Sequence, residues 1–366
     1  MQNILINSDS RIGEIYNSVI EGNRISVSDA EYLFENADFG VIAVMADRIK
    51  RKLFGKDVYY NKNFHIEPTN VCVFNCEFCS FSARADKKAW KNGHAEILDI
   101  VTDKVSEGAN EVHITGGANP DYNMDFYIRL LKSIRKYFPD IHIKAFTAVE
   151  VSYIAKLAGI EVEKLLKLLK EAGLNSLPGG GAEIFDEKIR KEICKNKISG
   201  DLWLKIHQLA HKLGLHSNAT MLYGHVETIK HRLDHLERIR DLQDKTNGFN
   251  AFIPLKFKNK NNNLSHIPET PFLDDLKTFA ISRIFLDNIP HIKAYWPMIG
   301  KDKASLLLNF GVDDIDGTIQ NTTKIYSMAG SKETTPAMTE KSLQDLIISA
   351  GFKPVERNSL YEILEK

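Results

Sequence analysis

From Phe64 onward the sequence alternates short strand-like runs with amphipathic stretches, and this alternation narrows the possible fold more than any other feature of the chain. Eight runs qualify, at 64–69, 111–115, 142–147, 174–177, 216–222, 249–255, 291–296 and 312–317. Apolar residues at helical spacing predict helices between them at 125–138, 162–172, 201–213, 231–246 and 274–287. Strands that each return through a helix form a parallel sheet, so the reading is an α/β chain of eight strand–helix units closing into a TIM-like (β/α)8 barrel over residues 61–327. Before it, over 1–60, Ser28-Asp-Ala-Glu31 reads as a capping box opening a helical segment that carries Leu33, Phe34, Val41, Ile42, Val44 and Met45 in two stretches. After it, residues 328–366 read as a C-terminal extension with a final helix and strand.

Side chains along a strand alternate between two faces. In the second run Val112 and Ile114 take one face while Glu111, His113 and Thr115 take the other; in the third, His142, Lys144 and Phe146 oppose Ile143 and Ala145. The polar parity elsewhere gives His65, Glu67 and Thr69, then Asn218 and Thr220, then His291, Lys293 and Tyr295. Barrel interiors are ordinarily filled by Val, Ile and Leu. A polar lining therefore predicts a lumen that holds a polar ligand.

Lys plus Arg balances Asp plus Glu at 48 each, so no field of one sign draws the chain to nucleic acid or to an anionic membrane. No apolar run approaches the length of a membrane helix, and Met1–Glu14 carries no apolar signal region, so the expected location is the cytoplasm. Four cysteines in 366 residues argue against a disulfide framework.

Three of those four lie within eight residues, as Cys72-Val-Phe-Asn-Cys76-Glu-Phe-Cys79. A C-x3-C-x2-C loop can hold three irons of a [4Fe–4S] cluster and leave the fourth open to a ligand. The alternative is a Cys3His zinc site completed by His65 or His94, although zinc cysteines usually come in separated C-x2-C pairs. Cys194 stands more than a hundred residues away, without a motif, and reads as an ordinary thiol. Downstream, Thr115-Gly116-Gly117 follows the second strand, where paired glycines let backbone approach a ligand. Gly179-Gly-Gly-Ala-Glu183 follows the fourth, offering peptide dipoles and a carboxylate suited to a ribose hydroxyl or an ammonium group. In a barrel all these strand ends converge on one mouth.

The cysteine spacing, with Phe78 before the last cysteine, resembles the signature of the radical S-adenosylmethionine (SAM) superfamily. That resemblance implies a full or partial radical SAM barrel, a [4Fe–4S] cluster on Cys72, Cys76 and Cys79, and SAM chelated to the open iron. It places SAM against Phe78, Thr115, Gly116, Gly117, Glu183 and Asn218. Further stretches, Lys144-Ala-Phe-Thr-Ala-Val-Glu150, Ser176-Leu-Pro-Gly-Gly-Gly-Ala-Glu-Ile184 and His291-Ile-Lys-Ala-Tyr-Trp296 among them, resemble the aminofutalosine synthase family of the futalosine route to menaquinone. Related families are the cyclic dehypoxanthine futalosine synthases and the deazaflavin-forming synthases. The resemblance implies 3-[(1-carboxyvinyl)oxy]benzoate as substrate and an electron donor such as flavodoxin or ferredoxin. Its two carboxylates are expected to meet Arg84, Lys144 and Tyr295, with His65 and Glu67 orienting the substrate or handling a proton. The asparagine-rich segment 256–263 reads as a solvated loop without a ligand role.

Overall fold

The computed structural model describes residues 9–83, 88–320, 322–333 and 335–364. Its strands are β1 (Asp57–Ile66), β2 (Glu111–Ile114), β3 (His142–Ala145), β4 (Ser176–Leu177), β5 (His216–Tyr223), β6 (Phe249–Lys256), β7 (His291–Ile292), β8 (Asp314–Ile319) and β9 (Lys353–Glu356). They form one sheet in the order β7-β6-β5-β4-β3-β2-β1-β8, with β9 beside β1. The ends of that row meet. A parallel bridge joins Lys293 to Asp314, and the Ala294 N–H donates to the Asp314 carbonyl at 2.8 Å. The eight expected strands thus form a nearly closed (β/α)8 barrel, and the six-stranded partial barrel is set aside.

The parity of the strands holds in three dimensions. Val112, Ile114, Ile143 and Ala145 are fully buried under the helix layer, while His65, His113 and Lys144 share one interior level through the registers His65↔His113 and His113↔Lys144.

Two elements begin earlier than expected. β1 starts at Asp57, because Asn61 and Asn63 are interior residues and not loop residues; both are buried. Asn63 accepts from the Ile319 N–H at 3.1 Å through Oδ1, and the Thr318 hydroxyl donates to its carbonyl at 2.8 Å, which stitches the irregular β1–β8 seam. Gly317 makes room there, since a Cβ at that position would lie 2.2 Å from the Asn61 side chain. At the amino-terminal segment the cap is Ser26, paired with Asp29, and not Ser28 with Glu31. Two helices follow, Val27–Asn36 and Phe39–Phe54, divided at Ala37 and Asp38.

The expected divisions near residues 60 and 327 fall inside β1 and inside the helix Ile325–Met328, and one hydrophobic core runs from Ile12 to Phe352. The C-terminal helix Glu340–Ser349 leads into β9, which pairs with the first half of β1. Beyond it Arg357 reaches Asp314 at 2.6 Å, and the Ser359 hydroxyl donates to Glu111. This end of the chain plugs the floor of the barrel.

Candidate active site

Cys72, Cys76 and Cys79 line one cavity of about 310 Å³ at the carboxyl ends of the strands, within the size range of small-molecule sites. The Ala118 N–H donates to the Cys72 sulfur at 3.4 Å, and the Ser82 N–H to the Cys79 sulfur at 3.4 Å. Burial raises the Cys72 thiol and pushes Cys76 up to about 12. A thiolate at either position therefore calls for a strong positive partner such as iron. Among the described residues no three His, Cys, Asp or Glu side chains close on a point that could hold a single metal ion. A cubane takes one thiolate on each of three irons, and sulfurs spread along a cavity wall suit it. His94 bonds the Phe126 carbonyl instead, at 2.9 Å. Cys194 ends the helix Glu187–Cys194, buried and outside the cavity lining.

The cysteine loop is braced from two sides. Its Glu77 N–H donates to the Ile193 carbonyl at 2.8 Å. From the segment after β6, the Asn263 side chain donates to Glu77 Oε2 at 2.6 Å, while Ser80 donates to the Lys260 carbonyl at 2.7 Å. Segment 256–263 is thus a buttress for the cysteine loop, correcting its reading as a merely solvated loop.

The glycine turns have a different reason from the one expected. A Cβ on Gly116 would lie 2.8 Å from the Thr69 carbonyl, one on Gly117 2.2 Å from the Val71 carbonyl, and one on Gly179 2.7 Å from the Asn218 carbonyl. Each position lets one strand end cross another, so the primary demand is backbone against backbone. Gly116, Gly117, Thr115 and Asn218 still line the cavity. Glu183 lines it too, at φ 49, a left-handed backbone that a glutamate rarely adopts. Its Oε1 lies 2.7 Å from Lys197 Nζ, which also stands 5.2 Å over the Phe78 ring.

Two expected substrate residues are already engaged. Lys144 donates to Glu111 Oε2 at 2.7 Å in a buried pair outside the cavity lining. Glu67 is outside the cavity lining and accepts from the Thr323 hydroxyl at 2.7 Å and the Lys324 N–H at 3.0 Å. It therefore holds the segment after β8. Arg84 lies outside the described residues. His65 and Tyr295 do line the cavity.

The cavity also includes residues the sequence reading passed over. Glu150 caps its helix with Thr147 and accepts from the Thr115 hydroxyl at 2.9 Å and the Gly116 N–H at 3.1 Å, fixing the glycine turn. The Thr147-x-x-Glu150 capping pattern was its visible signal. Lys197 and Tyr326, which also line it, carried none.

Residues 66–239 match the radical SAM superfamily model, and 246–366 match the CofH/MqnC C-terminal region. An aminodeoxyfutalosine synthase of Thermus thermophilus is 40% identical over 358 residues, covering 96% of each chain. The chain belongs to the radical SAM superfamily and, within it, to the family of the aminodeoxyfutalosine synthases. A cyclic dehypoxanthine futalosine synthase of Streptomyces coelicolor is 36% identical, over 94% of this chain and 86% of that one. The fold is shared with the crystal structure of methylornithine synthase at a TM-score of 0.74 and 18% identity, covering 93% of this chain and 97% of that one.

Membership makes this chain a radical SAM enzyme that uses a [4Fe–4S] cluster and SAM. The residues present fit both. Three thiols with amide donors at two of them suit the cluster, and the Glu183 carboxylate with the exposed peptides of the glycine turns suits the polar groups of SAM. No helix among the described residues is long and apolar enough to cross a membrane.

Proposed function

We propose that this enzyme converts SAM and 3-[(1-carboxyvinyl)oxy]benzoate into 6-amino-6-deoxyfutalosine and methionine, with loss of one carboxyl carbon as carbon dioxide or bicarbonate. With its cluster and SAM bound, the site supplies a 5′-deoxyadenosyl radical that adds to the vinyl carbon of the enol ether. The observation that carries this reading is the full-length likeness to the Thermus thermophilus synthase. A single cavity that joins the cysteines to an aromatic and histidine-lined floor supports it.

The chain's own residues have three tasks. Cys72, Cys76 and Cys79 hold the cluster, while Glu183, Asn218 and the turn fixed by Glu150 hold SAM. The floor orients the second substrate. The clasp from Glu67 to Thr323 and Lys324 keeps Ile325 and Tyr326 over the cavity, which excludes water and stray hydrogen donors. The reductant is a small electron carrier of the flavodoxin or ferredoxin class, and the enzyme acts in the cytoplasm.

A competition assay tests the reading. Anaerobic holoenzyme given SAM, a reductant and an equal mixture of the enol ether and dehypoxanthine futalosine should consume the first. Cyclisation of the second would assign the chain to the later step represented by the Streptomyces coelicolor relative.

A further inference from the structure

The closed end of the cavity carries two imidazoles with no committed partner. His65 on β1 and His113 on β2 are cross-strand neighbours, with ring centroids 4.5 Å apart and planes tilted by 52°. His65 is 5% exposed, and the Nε2 atoms of both rings are buried with no hydrogen-bond partner. Buried polar atoms of this kind are uncommon in folded proteins, and each calls for an explanation. Both rings line the cavity, and Tyr295 completes the group with its ring 6.0 Å from His65.

The nearby cations are spoken for. Among the described residues Lys144 is paired with Glu111, Lys293 with Asp316, Lys197 with Glu183, Lys256 with Asp275 and Lys258 with Glu269. An anion entering this end of the cavity meets imidazole before it meets a free ammonium group.

We propose that the Nε2 atoms of His65 and His113 together receive one carboxylate of an aryl substrate at the closed end of the cavity. The inference rests on the proposed function for the identity of that substrate. The reacting vinyl carbon must face the cysteine mouth, so the carboxylate at the closed end is the one on the ring. The flat rings of His65, His113 and Tyr295 form a wall against which a benzoate can lie.

The electrostatics agree with this geometry. Burial lowers His65 to about 4, with Asp316 and Glu111 opposing the shift and Lys144 and Lys293 adding to it. Burial, then His65 and Lys144, holds His113 well below the usual range, with Glu111 opposing and Lys293 adding. Before substrate enters, both rings are neutral and able to present N–H donors without an opposing charge. An arriving carboxylate favours the protonated form, so one proton can be taken from solvent to give an imidazolium–carboxylate pair. No bond to carbon changes in this step.

The test is a binding cycle on anaerobic, cluster-loaded enzyme with SAM present. Wild type, His65→Gln and His113→Gln are titrated with 3-[(1-carboxyvinyl)oxy]benzoate and with 2-phenoxyacrylate, which lacks the ring carboxylate. Wild type should prefer the dicarboxylate by at least about tenfold, the scale of hydrogen bonds to a charged group, and each variant should lose most of that preference. Cluster content and SAM affinity should stay at wild-type values. The wild-type comparison stands even if a variant does not fold: equal affinity for the two ligands overturns the inference and leaves the proposed function intact. Unchanged preference in the variants, or an equal loss of SAM affinity, also overturns it. Failure of wild type to bind either ligand overturns the proposed function and the inference together.

Discussion

Gly117 lies directly beneath the carbonyl of Val71, so close that a Cβ on the glycine would sit 2.2 Å from that oxygen. Val71 precedes Cys72, and the Gly117 N–H holds the same loop by donating to the Thr69 carbonyl at 2.8 Å. Gly117→Ala must therefore displace the loop that presents Cys72. The expected outcome is coupled loss of iron and SAM binding, with destabilisation of about 1–3 kcal/mol. Iron analysis and SAM titration on the same sample check it. Full iron content with weakened SAM binding would instead make Gly117 a ligand contact alone.

Cys194→Ala should leave iron content unchanged and cost about 1 kcal/mol of stability, the price of a small buried side chain. Alanine at Cys72, Cys76 or Cys79 should abolish the cluster. EPR of the reduced proteins distinguishes the two classes, and a lost signal in the Cys194 variant would contradict the three-cysteine assignment.

Lys144→Met leaves the Glu111 carboxylate buried without its ammonium partner, whose Nζ stands 2.7 Å away. The expected loss is about 3–5 kcal/mol of stability, read by denaturant unfolding. The KM for the enol ether, measured where the variant is folded, should stay within about twofold. A large rise in KM without a stability change would restore Lys144 as a substrate ligand.

Glu67 gives a pH signature. Burial pushes its carboxyl up to about 7, against the opposing hydrogen bonds from Thr323, Lys324 and Ile325. Between the ordinary value of 4.5 and 7 the folded state binds more protons than the unfolded one, so this group makes stability fall as pH rises through that window. Its contribution levels off above 7. Glu67→Gln should flatten the slope by about 1–3 kcal/mol across the window. An identical slope in both proteins, measured by chemical denaturation at several pH values, would show that Glu67 does not titrate there.

What the sequence revealed follows the range of the interactions. Strand periodicity is local, so all eight barrel strands were legible, as was the cysteine loop. β1 was truncated because Asn61-Lys62-Asn63 reads as a turn that cuts the strand-forming Val58-Tyr59-Tyr60 off from Phe64; only the barrel shows that Asn61 and Asn63 are interior residues. Lys144 read as a free cation because its partner Glu111 stands one strand away and 33 positions back. The clasp of Glu67 on Thr323 and Lys324 was not legible because those residues lie more than 250 positions downstream. His113 was correctly placed on the interior face by parity. Its significance needed the contact with His65 and the absence of a hydrogen-bond partner.

The account rests most heavily on the fate of the adenosyl group. Anaerobic holoenzyme, a reductant, SAM labelled with carbon-13 in its ribose, and 3-[(1-carboxyvinyl)oxy]benzoate can be followed by mass spectrometry. The account predicts label in 6-amino-6-deoxyfutalosine, with one methionine released per product. With substrate deuterated at its non-exchangeable positions, no deuterium should enter 5′-deoxyadenosine. Labelled 5′-deoxyadenosine carrying deuterium, with the ribose label absent from any adduct, would mean hydrogen abstraction and contradict the proposed reaction.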